Sequence, residues 1–225
     1  MGDENRALVP VPPETGKLCN KNTQVSAIQR SEEGTADYVP HLSPTQIKLI
    51  VTVAAQGKRN GERNSLLIKT LFDGCLRCSE GISIRPCDLQ RDSSGWSISL
   101  LGKGGKAGTV AISASLAAEL QSYSYRQKIP ETALIFPISR SQAFRIVSEA
   151  FDDASVRRPT RDIDHVGAVH ILRHSGAIER LKLTGNPRAV QSQLRHKSAQ
   201  MTLRYLKTVS ADESLKIQQS IDFHW

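Results

Sequence analysis

Residues 170–205 read HILRHSGAIERLKLTGNPRAVQSQLRHKSAQMTLRY. His170, Arg173, His174, Arg195 and His196 are all side chains that suit phosphate oxygens, and Tyr205 adds a phenol nine positions further on. An arginine lays a planar fork of N–H donors on the non-bridging oxygens of a phosphodiester, and a histidine adds a donor or a base. A tyrosine can serve as a covalent nucleophile, and nearby cations are expected to pull its ordinary pKa of about 10 downward. Together such groups can stabilise a five-coordinate phosphorane without a metal. The spacing agrees with that chemistry. His170 and Arg173 stand at i and i+3, on one face of a helix, while His196 precedes a helix start at Ser198 that carries Tyr205 about two turns in.

These residues need a helical frame, and the sequence predicts one. At HLSPTQIKLIV, Ser43 and Gln46 form a capping box, Pro44 suits the first helical position and Leu42 can staple to Ile47, with Ile47, Ile50, Val51 and Ala54 on one face. A second helix is expected over about 63–81, with Leu67, Leu71 and Gly74 on its packing side and Arg77 near its end. GWSISLLGKGGKAGTVAIS then reads as two β-prone runs joined by a Gly-Lys-rich turn, a hairpin. Further helices are expected at about 115–126, 140–152, 168–183, 187–195 and 198–206, and Ser210 with Glu213 caps a last one. The expected class is mainly α with a small antiparallel β-sheet (α+β).

Charge narrows the partner. The formal net charge is +8, yet residues 1–40 hold four Lys/Arg against six Asp/Glu, so they carry −2 and residues 41–225 carry +10. Residues 151–210 hold eleven Lys/Arg against five Asp/Glu, a basic patch over the phosphate-suited segment, which points to nucleic acid. No apolar run is long enough to span a membrane and no secretory leader opens the chain, so the expected setting is the cytoplasm with no membrane partner. Cys75 and Cys78 form a C-x-x-C, but nothing beside it completes a four-ligand set, and the pair is read as small buried residues. No metal and no cofactor is expected. Residues 1–40, with Pro10, Pro12 and Pro13, are expected to be a mobile arm, residues 41–209 the catalytic domain and residues 210–225 a C-terminal helix or tail.

HILRHS at 170–175, LRHKS at 194–198 and TLRY at 202–205 resemble the second half of the catalytic domain of the tyrosine recombinases, the phage-integrase family. CLRCSEGISIRPCDL at 75–89 is similar to that family's box around its first arginine, here Arg77, with Glu80 and Asp88 matching the usual supporting acids. LGKGGKAGTVAI at 101–112 resembles the hairpin that carries its lysine, here Lys103. Each box is weak alone, and all occur in family order over about 130 residues ending at Tyr205.

The resemblance implies that Arg77, Arg173 and His196 hold the scissile phosphate and that His170 assists proton handling at the nucleophile. It implies that Tyr205 attacks to give a 3′-phosphotyrosyl bond while Lys103 protonates the departing 5′-oxygen, with neither ATP nor metal. Double-stranded DNA is the implied substrate, handled by a homotetramer with accessory DNA-bending proteins, and the protein is nucleoid-associated when bound. The tail SADESLKIQQSIDFHW is expected to dock on a neighbouring subunit; a final helix folded on its own domain fits nearly as well. Considered singly, Arg77 and Lys103 read as solvated surface charges, Tyr205 as a core residue with its hydroxyl at the rim, and His174 as a structural hydrogen-bonding residue. Leu194-Arg195-His196 departs from the family's usual Leu-Gly-His, placing a bulky cation where a glycine is normal. The family's DNA-clamping N-terminal domain has no counterpart in the first 40 residues, which predicts either a fragment or a natural short form similar to the fimbrial phase-variation invertases. Two other readings share the fold: a non-catalytic DNA-binding regulator, and type IB topoisomerase-like DNA relaxation.

Overall fold

Ser43 turns the chain into helix α1 (Pro44–Ala55) through the expected capping box: its hydroxyl accepts the Gln46 N–H at 3.3 Å and its own N–H donates to Gln46 Oε1 at 2.9 Å. The computed structural model that displays this describes residues 39–101, 107–159, 167–196, 198–209 and 219. Helix α1 buries Ile47, Ile50 and Ala54 against α2 (Gly61–Asp73), an amphipathic helix whose Leu67, Ile68 and Leu71 are fully buried. The expected tail helix after Ser210 and the hairpin turn at 102–106 lie outside the described residues.

The helix expected over 63–81 is two. Helix α2 stops at Asp73, the chain turns through Cys75 at φ 51, and a short helix α3 (Cys78–Gly81) begins with Arg77 as its N-cap. The turn is closed by Leu76 N–H donating to the Leu71 carbonyl at 3.0 Å, which satisfies a helix-end acceptor. Apolar residues continue through the break, so periodicity alone conceals it. Arg77 therefore leaves the frame at a corner and not along a helix face.

The sheet has one more strand than the hairpin required. After a 3₁₀ turn (Pro86–Asp88), strands β1 (Leu89–Asp92), β2 (Gly95–Leu101) and β3 (Ala107–Ile112) form an antiparallel sheet in that order, with Leu89 opposite Ile98 and Ile98 opposite Val110. Strand β1 is mostly exposed and shows no apolar alternation; its signal is the Asp92 carboxylate, which accepts the Ser94 and Gly95 N–H groups and turns the chain into β2. Ile98, Leu100, Val110 and Ile112 face the helices.

Helices α4 (Ala114–Arg126) and α5 (Arg140–Asp153) complete the main core with Leu116, Leu120, Val147 and Phe151. Helix α6 (Ala168–Thr184) runs through the middle and contacts both α2 and α5. Gly176 permits the approach to α2, since a Cβ there would land on the Phe72 carbonyl. Helix α7 (Pro187–Leu194), capped by Asn186, and helix α8 (Ala199–Thr208), capped by Ser198, pack on the far half of α6. A second, smaller core lies there, built from Val39, Cys75, Ala177, Ile178, Leu181, Val190, Leu194 and Tyr205. Val39 joins it by donating its N–H to Thr208 Oγ1 at 3.1 Å. The mainly helical fold with a small antiparallel sheet is the expected class.

Candidate active site

Arg173 comes off α6 only 4% exposed, and its guanidinium joins two helix ends. Nη1 donates to the Cys75 carbonyl at 2.5 Å and Nη2 to the Leu194 carbonyl at 2.8 Å. The Leu194 carbonyl is the last of α7, before the left-handed Arg195, and the Cys75 carbonyl belongs to the left-handed turn beyond α2, so the cation satisfies acceptors that helical bonding does not. Nη1 also lies 3.8 Å from Glu80 Oε2. Burial, then the charge of Arg77, pulls the Arg173 pKa below the ordinary arginine value, with Glu80 and Tyr205 opposing.

Glu80, with a side chain 12% exposed, is the anionic hub. Its Oε2 accepts the Arg77 N–H at 2.8 Å and its Oε1 accepts Arg77 Nη1 at 2.8 Å, so the acid caps α3 and orients the arginine in one arrangement. Arg195 Nη2 approaches the same Oε1 at 2.6 Å. Burial alone pushes the Glu80 pKa up, but the two hydrogen bonds from Arg77 and the charges of Arg195 and Arg77 outweigh it and hold the carboxyl below its usual range. Asp88, matched by resemblance to a second supporting acid, instead accepts the Arg85 N–H at 2.9 Å and closes the 3₁₀ turn; among the described residues it pairs with none of the site's guanidinium groups.

Tyr205 is 4% exposed and lies between two imidazoles. The His196 ring is stacked on it at 6.2 Å and 27°, and the His174 ring meets it edge-on at 5.9 Å. His170 in turn meets His174 edge-on at 6.3 Å. Arg173 and Arg77 both act on the phenol, but they do not lower its pKa below the ordinary value as the sequence led us to expect. Burial dominates and pushes Tyr205 up to about 12, because a phenolate in this apolar pocket loses more hydration than the cations return.

The histidines move the other way. Burial, then the charges of Arg173 and Arg77, brings His196 down to about 4, and its Nδ1 lies 3.1 Å from Thr202 Oγ1. His174 falls to about 3 through burial and then the charges of His170 and Arg173, against a hydrogen bond with the Pro40 backbone that opposes the shift. That bond fits the structural role expected of it. His170 is lowered by partial burial and then by Arg173, Arg140 and Arg77. In all three the environment favours the neutral imidazole over the charged one.

Thus Arg77, Glu80, His170, Arg173, His196 and Tyr205 converge from α3, α6, the α7–α8 turn and α8. Lys103 lies outside the described residues. Sequence reasoning missed how the hairpin is anchored: Gln193 exchanges hydrogen bonds with Ala111 of β3, Oε1 accepting its N–H at 3.0 Å and Nε2 donating to its carbonyl at 2.9 Å. Arg180 adds a bond to the same carbonyl at 3.2 Å while holding Asp73 at 2.7 Å. A glutamine carries no motif, so no signal announced it. Cys75 and Cys78 are buried free thiols, Cys75 pushed up to about 11 by burial, and among the described residues no group of three metal-ligating side chains forms.

Comparison with known proteins adds to this geometry. The model of the phage integrase family matches residues 40–211. The tyrosine recombinase XerC of Pelobacter propionicus is 29% identical over 181 residues, covering 79% of this chain and 58% of that protein. The tyrosine recombinase XerH of Campylobacter jejuni is 29% identical over 150 residues, covering 64% and 41%. The chain therefore spans about half the length of these curated relatives. Among solved structures, the XerH site-specific recombinase bound to palindromic difH substrate in a post-cleavage complex superposes with a TM-score of 0.66 at 21% identity, over 81% of this chain and 53% of that one. The catalytic domain of bacteriophage HP1 integrase gives 0.57 at 16% identity, over 81% of this chain and 95% of that one.

Proposed function

The chain belongs to the phage integrase family, and on that premise we propose that it is a site-specific tyrosine recombinase, breaking and rejoining double-stranded DNA through a 3′-phosphotyrosyl intermediate. The observation that carries the reading is the placement of Tyr205 against His196 with Arg173 and Arg77 in electrostatic reach. Arg77, Arg173 and His196 hold the non-bridging oxygens of the scissile phosphate. The Tyr205 oxygen forms a bond to phosphorus, the bond to the 5′-oxygen breaks, and the phenol proton passes to a neutral imidazole, with His170 assisting. Lys103 supplies the proton that makes the leaving group a 5′-hydroxyl. A 5′-hydroxyl of a second strand reverses the step on a new partner and returns Tyr205.

With its pKa pushed up to about 12, Tyr205 carries its proton at neutral pH, so loss of that proton accompanies attack. The proposed assembly is a homotetramer on two duplexes, with residues 210–225 docking between subunits and accessory DNA-bending proteins aiding it, and the proposed setting is the cytoplasm, on nucleoid DNA. Residues 1–40 are proposed as an arm outside the catalytic domain of 41–209.

Covalent trapping tests the reading. The protein is incubated with a pool of nicked duplexes whose cleaved end diffuses away, and DNA surviving denaturation is sequenced. An adduct formed by the wild type and absent from Tyr205→Phe and Arg173→Ala is the expected result. An adduct that survives Tyr205→Phe would overturn the assignment of the nucleophile.

A further inference from the structure

Arg195 occupies the left-handed C-cap of α7 at φ 51, a conformation a glycine adopts freely and an arginine adopts at a cost. Its side chain, 19% exposed, does not turn to solvent. It crosses β3 directly above Gly108, where an added Cβ would lie 2.9 Å from Arg195 Cδ and 3.4 Å from Nη1, and ends 2.6 Å from Glu80 Oε1. Gly108 has no positive φ, so its lack of a side chain serves the crossing and not the backbone. Although Nη2 is this close to the carboxylate, its N–H bonds do not point along the contact, and Nε and Nη2 are both buried donors without an aligned acceptor. The contact is an ion pair waiting for better alignment.

The acceptor that would complete it is in use. Glu80 Oε1 receives Arg77 Nη1, and Arg77, with a side chain 45% exposed, is the guanidinium of this cluster that an incoming ligand can reach. We propose that Arg195 is the resident counter-ion of Glu80, a positioning residue that takes over the carboxylate when Arg77 turns to the scissile phosphodiester, and that the bare Gly108 on β3 is the slot that admits it. This rests on the proposed recombinase reading. Without Arg195, a largely enclosed carboxylate would be left with the more distant Arg173 and would compete with phosphate for Arg77. With it, the transfer of Arg77 leaves no uncompensated buried charge.

Two variants separate charge from packing. Single-turnover adduct formation at saturating nicked DNA should fall about tenfold or more in Arg195→Met, which keeps the aliphatic stem, and recover to within about threefold of wild type in Arg195→Lys, which restores the charge. DNA affinity should stay within about threefold throughout, because one positioning cation is a small part of the phosphate contact. A Met variant as fast as wild type, or a Lys variant as slow as Met, overturns the proposal. The slot is tested by a double-mutant cycle in thermal unfolding: Gly108→Ala should lower Tm by about 2–4 °C in the wild type and by under about 1 °C in Arg195→Gly. Additive shifts overturn the proposal, and this cycle reads out even on a wild type that forms no adduct, an outcome that would indict the recombinase reading instead.

Discussion

The phenol of Tyr205 and the imidazole of His196 lie stacked, ring centres 6.2 Å apart and planes 27° from parallel. His196 sits in the turn between α7 and α8 and Tyr205 on α8 itself, so one short stretch of chain sets their relation. The candidate nucleophile and a phosphate-suited group are thus built as one short unit, packed against the helix that carries Arg173.

Tyr205→Phe removes one oxygen from this unit and keeps the ring. Covalent DNA adduct should vanish, Tm should move by no more than about 2 °C, and DNA affinity should stay within a few-fold in a mobility-shift titration.

Arg173→Ala and Arg77→Ala should both abolish adduct formation yet part ways in urea. Losing Arg173 strands the Cys75 and Leu194 carbonyls inside the protein, which costs about 2–5 kcal/mol. Losing the half-exposed Arg77 costs within about 1 kcal/mol, since Arg195 remains on Glu80. Equal unfolding midpoints for the two variants would refute the keystone role of Arg173.

Acid should weaken the fold through its histidines. His174 near 3 and His196 near 4 in the folded chain both titrate near 6.5 when unfolded, so the unfolded state binds more protons between those values. The stabilisation is complete above about pH 6.5 and drains away as pH falls toward 4. Thermal scans should show Tm falling by roughly 5 °C or more over that window, and His174→Gln should flatten the slope.

Tyr205 itself should titrate late. An ultraviolet difference titration of wild type against Tyr205→Phe should isolate one phenol ionising close to pH 12, well above the ordinary value of about 10. A midpoint at or below 10 would mean that the cations outweigh burial after all.

Gly176→Ala should lose stability and adduct together. The new methyl would strike the Phe72 carbonyl, a main-chain atom that cannot rotate away, forcing α6 off α2. The expected cost is about 2–4 kcal/mol by denaturant unfolding, with Arg173 displaced along with its helix.

Much of this molecule is written locally. Ser43 with Gln46, and Asn186 with Pro187, name their helix starts because capping is a contact between near neighbours. The spacing of His170 and Arg173 names their shared helix for the same reason. What escaped reading depends on distant parts. The corner at Cys75 is hidden because the apolar pattern runs on through it, and β1 because an exposed edge strand needs no apolar face. The upward shift of Tyr205 escaped because neighbours along the chain reveal its cations but not the apolar pocket formed with Val39, Val190 and Leu194. Arg195 was visible as an oddity, while its reach to Glu80 over Gly108 belongs to three separate segments.

The double duty of Arg173 bears on how copies of this chain decay. On the proposed function, a lineage that loses the Tyr205 hydroxyl should keep a folded protein. A lineage that loses Arg173 should forfeit the joint between two chain turns and, with it, much of its stability. Retired descendants should therefore be found with the phenol gone and the buried arginine still in place.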